Sequence, residues 1–196
     1  MSDIPDPTAP TQPQADLPQL RLKEVRMAYV PDEDRLLFSC SMSDDNEQRF
    51  WLTRKLTHSL LGVTSTQLTR SVSAVGSAGA SVARTVLEFQ ESAALANQSV
   101  RSGQVSIPAG PDGRIDALLV RRGGLQPIIP EGGDVSSAKA WALILADGRG
   151  KGARMVLTRE NMLRFRHMIQ KAAAKADWGL VDPDDIATPE TQPVMN

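Results

Sequence analysis

Short runs rich in apolar residues, Leu22–Val30 (LKEVRMAYV), Arg35–Met42 (RLLFSCSM) and Glu47–Thr53 (EQRFWLT), read as strands bounded by turn formers. A period of two puts successive side chains on opposite faces of a strand. PDED and SDDN divide these runs, and Pro, Asp and Asn are turn formers. The period then changes, and RKLTHSLLG opens a helix. A second pass in the same order starts at Arg114. RIDALLVRR reads as a strand, GGLQPIIPEGGDVSS as a Gly- and Pro-rich excursion, KAWALILA and ARMVLT as strands joined by DGRGKG, and RENMLRFRHMIQKAAAKADW as a helix. At about 100° per residue, Met162, Phe165, Met168, Ile169, Ala172, Ala173 and Ala176 share one face of that helix, which should pack on a sheet. Arg164, His167, Lys171 and Lys175 share the other.

The two passes align without a gap from Leu36–Thr53 onto Trp141–Thr158, and Arg49, Leu52, Thr53 and Arg54 fall on Arg154, Leu157, Thr158 and Arg159. In each LTR the threonine is placed to cap the following helix by accepting from a first-turn amide. The pattern predicts an α+β fold of two related β-β-β-α units with antiparallel sheets, the signature of an internal duplication. The predicted divisions are a Pro-rich acidic tail over 1–17, a first unit over 18–64, a linker and helix over 65–100, a second, basic unit over 101–180, and an acidic tail over 181–196. Within the linker, small residues dominate around 73–80 and a firmer helix runs from about Ser81 to Asn97. Leu68, Val72, Val75, Val82, Val86, Phe89 and Ala93 follow steps of four and three with Gly79 at the missing step, a narrow apolar seam that packs on its own domain or on another subunit.

Charge separates the halves further. The formal net charge is −1, yet the first 17 residues carry Asp3, Asp6 and Asp16, and the last 16 carry Asp182, Asp184, Asp185 and Glu190, with no Lys or Arg in either. Residues 18–100 hold nine groups of each sign, whereas 101–180 hold 13 basic against seven acidic. The basic surplus belongs to the second unit. Such a surface suits an acidic partner. No run reaches the roughly 18 apolar residues of a membrane helix, and the acidic, Pro-rich start lacks the basic-then-apolar plan of a secretory signal. The reading is a cytoplasmic protein with no membrane contact. Cys40 is the single cysteine and lies in an apolar strand run, as a buried small residue does.

Catalytic patterns are missing from the sequence. His58 and His167 are the two histidines, and no HExxH, GxSxG, paired-cysteine or dinucleotide-binding spacing occurs. Asp182, Asp184 and Asp185 lack the glycine and terminal glutamate of a calcium loop. The expectation is a non-enzymatic protein with no cofactor and no metal. The one conspicuous stretch is DGRGKGAR at 147–154. It fails the Walker spacing and runs on into a strand, so its first reading is a hairpin turn, and its second is contact with phosphate or a carboxylate-rich partner. The candidate binding residues are Arg121, Arg122, Arg149, Lys151, Arg154, Arg164, Lys171 and Lys175, with Trp51 and Trp141 as stacking residues. The expected role is a scaffold, adaptor or assembly subunit that binds a protein partner or itself through the basic half. The alternative is single-stranded nucleic acid held by cations and strand aromatics. Strands followed by a helix, used twice, is similar to the plan of PUR-repeat nucleic acid binders, a likeness of architecture without any sequence motif of that family.

Overall fold

The computed structural model describes residues 19–20, 22–42, 47–73, 80–96, 115–133 and 137–180. Both acidic tails and the SDDN turn lie outside the described residues. The first pass forms β2 (Leu22–Val30), β3 (Arg35–Met42) and β4 (Glu47–Leu52), preceded by the short β1 (Gln19–Leu20) and followed by α1 (Arg54–Ser73). After α2 (Ala80–Ala96), the second pass forms β5 (Leu118–Leu119), β6 (Arg122–Ile128), β7 (Ala140–Ala146), β8 (Gly152–Thr158) and α3 (Arg159–Lys175). The class is α+β, as the periodicities imply.

Two expectations need correction. RIDALLVRR is not one strand: a two-residue β5 ends at Leu119, and Val120 and Arg121 lead into β6. β6 is made from the Gly- and Pro-rich RGGLQPI. It lies at the edge of its sheet, the one place where the missing N–H of Pro127 need not break a ladder. Gly123 has a packing reason, since a Cβ there would lie 3.0 Å from Leu56 Cδ1 on α1. The second correction concerns α1, which continues to Ser73, so the division at 64/65 falls inside a helix.

Each β-β-β run is an antiparallel meander, and the hairpin registers are the same in both. Leu36 pairs Leu52 and Phe38 pairs Phe50 in β3–β4; Trp141 pairs Leu157 and Leu143 pairs Met155 in β7–β8. These are the positions the ungapped alignment superposes. The outer strands are exchanged. β1 pairs in parallel with β8, and β5 pairs in parallel with β4, so the sheets run β1-β8-β7-β6 and β2-β3-β4-β5. Each half lends the other its fourth strand. The halves correspond in geometry and register, which is not a demonstration of common ancestry.

Helices follow the same reciprocity. α1 and α3 touch each other; α1 also touches β6 and β3, and α3 touches β2 and β8. One apolar cluster joins Leu36, Phe38, Phe50 and Leu52 to Trp141, Leu143, Met155 and Leu157 through Leu60, Leu68, Phe165 and Ile169. Phe38 packs edge-on against Phe165 of the other half at 5.5 Å between ring centres, a geometry the ring quadrupoles favour. Thr53 and Thr158 act as the predicted caps: Thr53 Oγ1 accepts from Leu56 N at 3.4 Å, and Thr158 Oγ1 accepts from Asn161 N at 3.3 Å.

The predicted seam divides between the helices: Leu68 on α1 is buried, whereas the α2 members Phe89 and Ala93 face outward. Phe89 is 76% exposed, whereas Leu87 and Ala94 are buried. The buried face is mixed in character: Glu91 Oε2 accepts from Arg166 Nη1 at 3.2 Å, Glu91 Oε1 lies 3.3 Å from His167 Nδ1, and Ala94 O accepts from Arg164 Nε at 3.2 Å. Polar ties to α3 decide which side of α2 turns inward. Among the described residues, no helix is long and apolar enough to cross a membrane.

Candidate interaction surface

DGRGKGAR is a hairpin turn between β7 and β8. Asp147 N donates to Lys151 O at 2.8 Å, and Gly150 takes the positive φ of 85° that closes the loop. The carboxylate of Asp147 folds inward, accepting from Arg149 N at 2.8 Å and from Lys151 N at 2.9 Å. Amides that could cradle a phosphate are therefore already bonded to an oxygen of the loop itself. What the loop offers outward is two cationic side chains. Where β8 begins, Gly152 is required by space, because a Cβ would sit 2.0 Å from Leu145 O.

Arg121 and Arg122 arrive at this turn from the other side. Arg121 N donates to Ala146 O at 2.9 Å, and Arg122 pairs with Ala146 in the β6–β7 register. The Arg121 stem passes Gly148, and the Arg122 guanidinium lies over Gly150. Two segments separated by some 25 residues thus bring Arg121, Arg122, Arg149 and Lys151 to one end of the β1-β8-β7-β6 sheet. All four are exposed; the Asp147 carboxylate lies within the loop on the Arg149 and Lys151 amides, and among the described residues no salt bridge joins an acid to any of the four cationic side chains.

The first half treats its strand arginines differently. There, an acid two residues earlier in the chain pairs with each of Arg26, Arg35 and Arg49. Glu24 holds Arg26 at 2.9 Å, Glu33 holds Arg35 at 3.0 Å and Glu47 holds Arg49 at 2.9 Å. The hydrogen bond from Arg49 lowers the Glu47 carboxyl pKa, and the same bond raises that of Arg49. In the second half Gly152 stands where Glu47 stands, leaving Arg154 without its carboxylate, and Arg122 stands in the place of Glu24. The E-x-R spacing was readable in the sequence and was missed.

Other candidates are scattered. Arg154 is half-buried on the sheet face away from the core, beside Ile144. Arg164 is committed to Glu160 and the Ala94 carbonyl. Lys171 and Lys175 are exposed on α3. Trp51 shares the outer sheet face with Arg49, as alternation predicts, but is only 6% exposed, and Trp141 is 2% exposed inside the core. Neither ring presents an open face for base stacking, which corrects their assignment as platform residues. Trp141 is instead a centre of packing.

Further chemistry is sparse. No group of three or more His, Cys, Asp or Glu able to hold a metal occurs among the described residues. Cys40 is buried, and desolvation pushes its thiol pKa up to about 12, the opposite of a reactive thiolate. Comparison of the chain with protein-family models, with curated proteins and with solved structures returns no match.

Proposed function

We propose that this chain is a non-enzymatic interaction protein, a scaffold, adaptor or assembly subunit, that docks an acidic protein partner on the basic end of the β1-β8-β7-β6 sheet. The observation that carries this reading is the convergence of the exposed Arg121, Arg122, Arg149 and Lys151 around a turn whose one described acid, Asp147, is bonded to backbone amides and forms no salt bridge with their side chains. Four exposed cations attract a polyanion at long range and orient it on approach. The buried rings of Trp51 and Trp141 favour an acidic peptide over single-stranded nucleic acid, whose sequence-tolerant affinity draws on stacking.

Fluorescence anisotropy tests the proposal with a labelled octaglutamate peptide and with labelled single-stranded DNA and RNA, each at low and at physiological salt. The expected result is peptide binding that Arg149→Glu with Lys151→Glu abolishes, and weaker nucleic acid binding that falls steeply with salt. Tight nucleic acid binding that survives physiological salt and depends on the same two residues would transfer the site to the nucleic acid reading. No binding of any probe would remove the basic end as a docking surface.

A further inference from the structure

We propose that the acidic segment from Asp182 to Glu190 is a resident competitor for the basic cluster, so that a partner docks by displacing part of the same chain. This rests on the cluster being a docking surface and adds a regulatory element to it. The chemistry is matched: Asp182, Asp184, Asp185 and Glu190 face no Lys or Arg within residues 181–196, and the cluster offers four cations. A single exposed ion pair holds little, so the segment should settle where several cations stand together. Lys171 and Lys175 lie nearer in the chain but lack that concentration of charge.

Connectivity supports the match. Trp178 is fixed to the body by its Nε1–H, which donates to Asp34 Oδ1 at 2.9 Å, and by its carbonyl, which accepts from Arg54 Nη2 at 2.7 Å. The acidic segment therefore departs from a defined place. At about 3.4 Å per residue, its carboxylates reach from roughly 7 to roughly 34 Å beyond Leu180. A body of this size has a radius of gyration of about 15 Å, so the three aspartates, within about 17 Å of Leu180, cover the nearer part of its surface and Glu190 extends beyond it. A tethered competitor acts at an effective concentration on the order of millimolar, enough to weaken a partner of modest affinity several-fold.

The test uses the full chain in three forms: wild type, a neutral-segment variant (Asp182→Asn, Asp184→Asn, Asp185→Asn, Glu190→Gln) and the cluster variant Arg149→Glu with Lys151→Glu. Carbodiimide, which condenses a carboxylate directly with an amine, is expected to link Lys151 to residues 182–190 within one molecule of the wild type at low salt, and to form no such link in either variant. With the octaglutamate probe, the neutral-segment variant should bind about 3-fold or more tightly than wild type, the difference closing as salt screens the contact. Links from the segment only to Lys171 or Lys175, links only between two molecules, or equal probe affinity without a Lys151 link would each overturn the inference while leaving probe binding, and hence the docking surface, intact. If no form binds the probe, the docking surface fails; an intramolecular Lys151 link would then still establish the internal contact.

Discussion

Asp34 shows how much one residue can tie together. It sits at the β2–β3 turn with a positive φ of 44°, a conformation that Asp and Asn tolerate better than most residues. Its Oδ1 accepts from Trp178 Nε1 and from the Tyr29 hydroxyl at 3.1 Å, while the Tyr29 and Trp178 rings meet edge to face. The Trp178 and Tyr29 hydrogen bonds hold the Asp34 carboxyl below its ordinary range, whereas desolvation first, and then Asp34 itself, push the Tyr29 phenol up. A carboxyl depressed on folding contributes stability above its unfolded pKa, and that contribution disappears as the pH falls through the folded value. Asp34→Asn keeps the backbone and loses the charge. Thermal unfolding followed by tryptophan fluorescence is expected to show the variant less stable than wild type at neutral pH, with the gap narrowing below about pH 4. A gap constant from pH 7 to pH 3 would remove Asp34 as the cause.

At the scale of elements, the arginines of the repeated LTR are reciprocal ties. Arg54 opens α1 and donates to the Trp178 carbonyl just after α3. Arg159 opens α3 and donates to Ser71 Oγ, at 2.8 Å, near the end of α1, and to Gln90 Oε1 of α2 at 3.0 Å. Each guanidinium thus reaches the C-terminal end of the other helix, where the helix dipole favours a cation. Ser71 Oγ in turn donates to the Leu68 carbonyl at 2.6 Å. Burial lowers the Arg159 pKa, and its Nη2 has no partner among the described residues. Arg159→Ala should cost about 2 kcal/mol, and the more exposed Arg54→Ala about 1 kcal/mol, in denaturant unfolding at neutral pH. Equal and negligible effects would make both ties incidental. The sequence announced the caps because a threonine before a helix acts locally, but not these ties, which depend on two helices lying head to tail. Likewise β2, β3, β7 and β8 were legible as short apolar runs between turn formers, while β6 was hidden because an edge strand tolerates Gly and Pro that a central one would not. Own-domain packing of the seam holds for Leu68 but not for Phe89, because the side of α2 that turns inward is the one held by polar contacts from Arg164, Arg166 and His167.

The whole molecule is organised by the exchange of β1 and β5. No hydrophobic pattern could reveal that a two-residue strand pairs with the far sheet, since pairing partners are set by topology. All four residues of the basic cluster were candidates from the sequence, but their convergence was hidden, because the meeting of Arg149 and Lys151 with Arg121 and Arg122 depends on the β6–β7 register. Because the core joins both halves and each sheet borrows a strand, unfolding should be a single transition, with circular dichroism and tryptophan fluorescence coincident. Residues 1–100 and 101–196 expressed separately should each lack a stable fold and recover it when mixed; a half that unfolds cooperatively alone would contradict the shared core. The exchange also sets a timetable for synthesis. β4 leaves the ribosome long before β5, and at 5–20 residues per second the 66 positions from Leu52 to Leu118 take roughly 3 to 13 seconds. For that interval the Phe50–Trp51 edge has no strand to cover it, and β1, made before β4, waits longer still for β8. A nascent chain built this way offers chaperones an open strand edge until its second half has emerged.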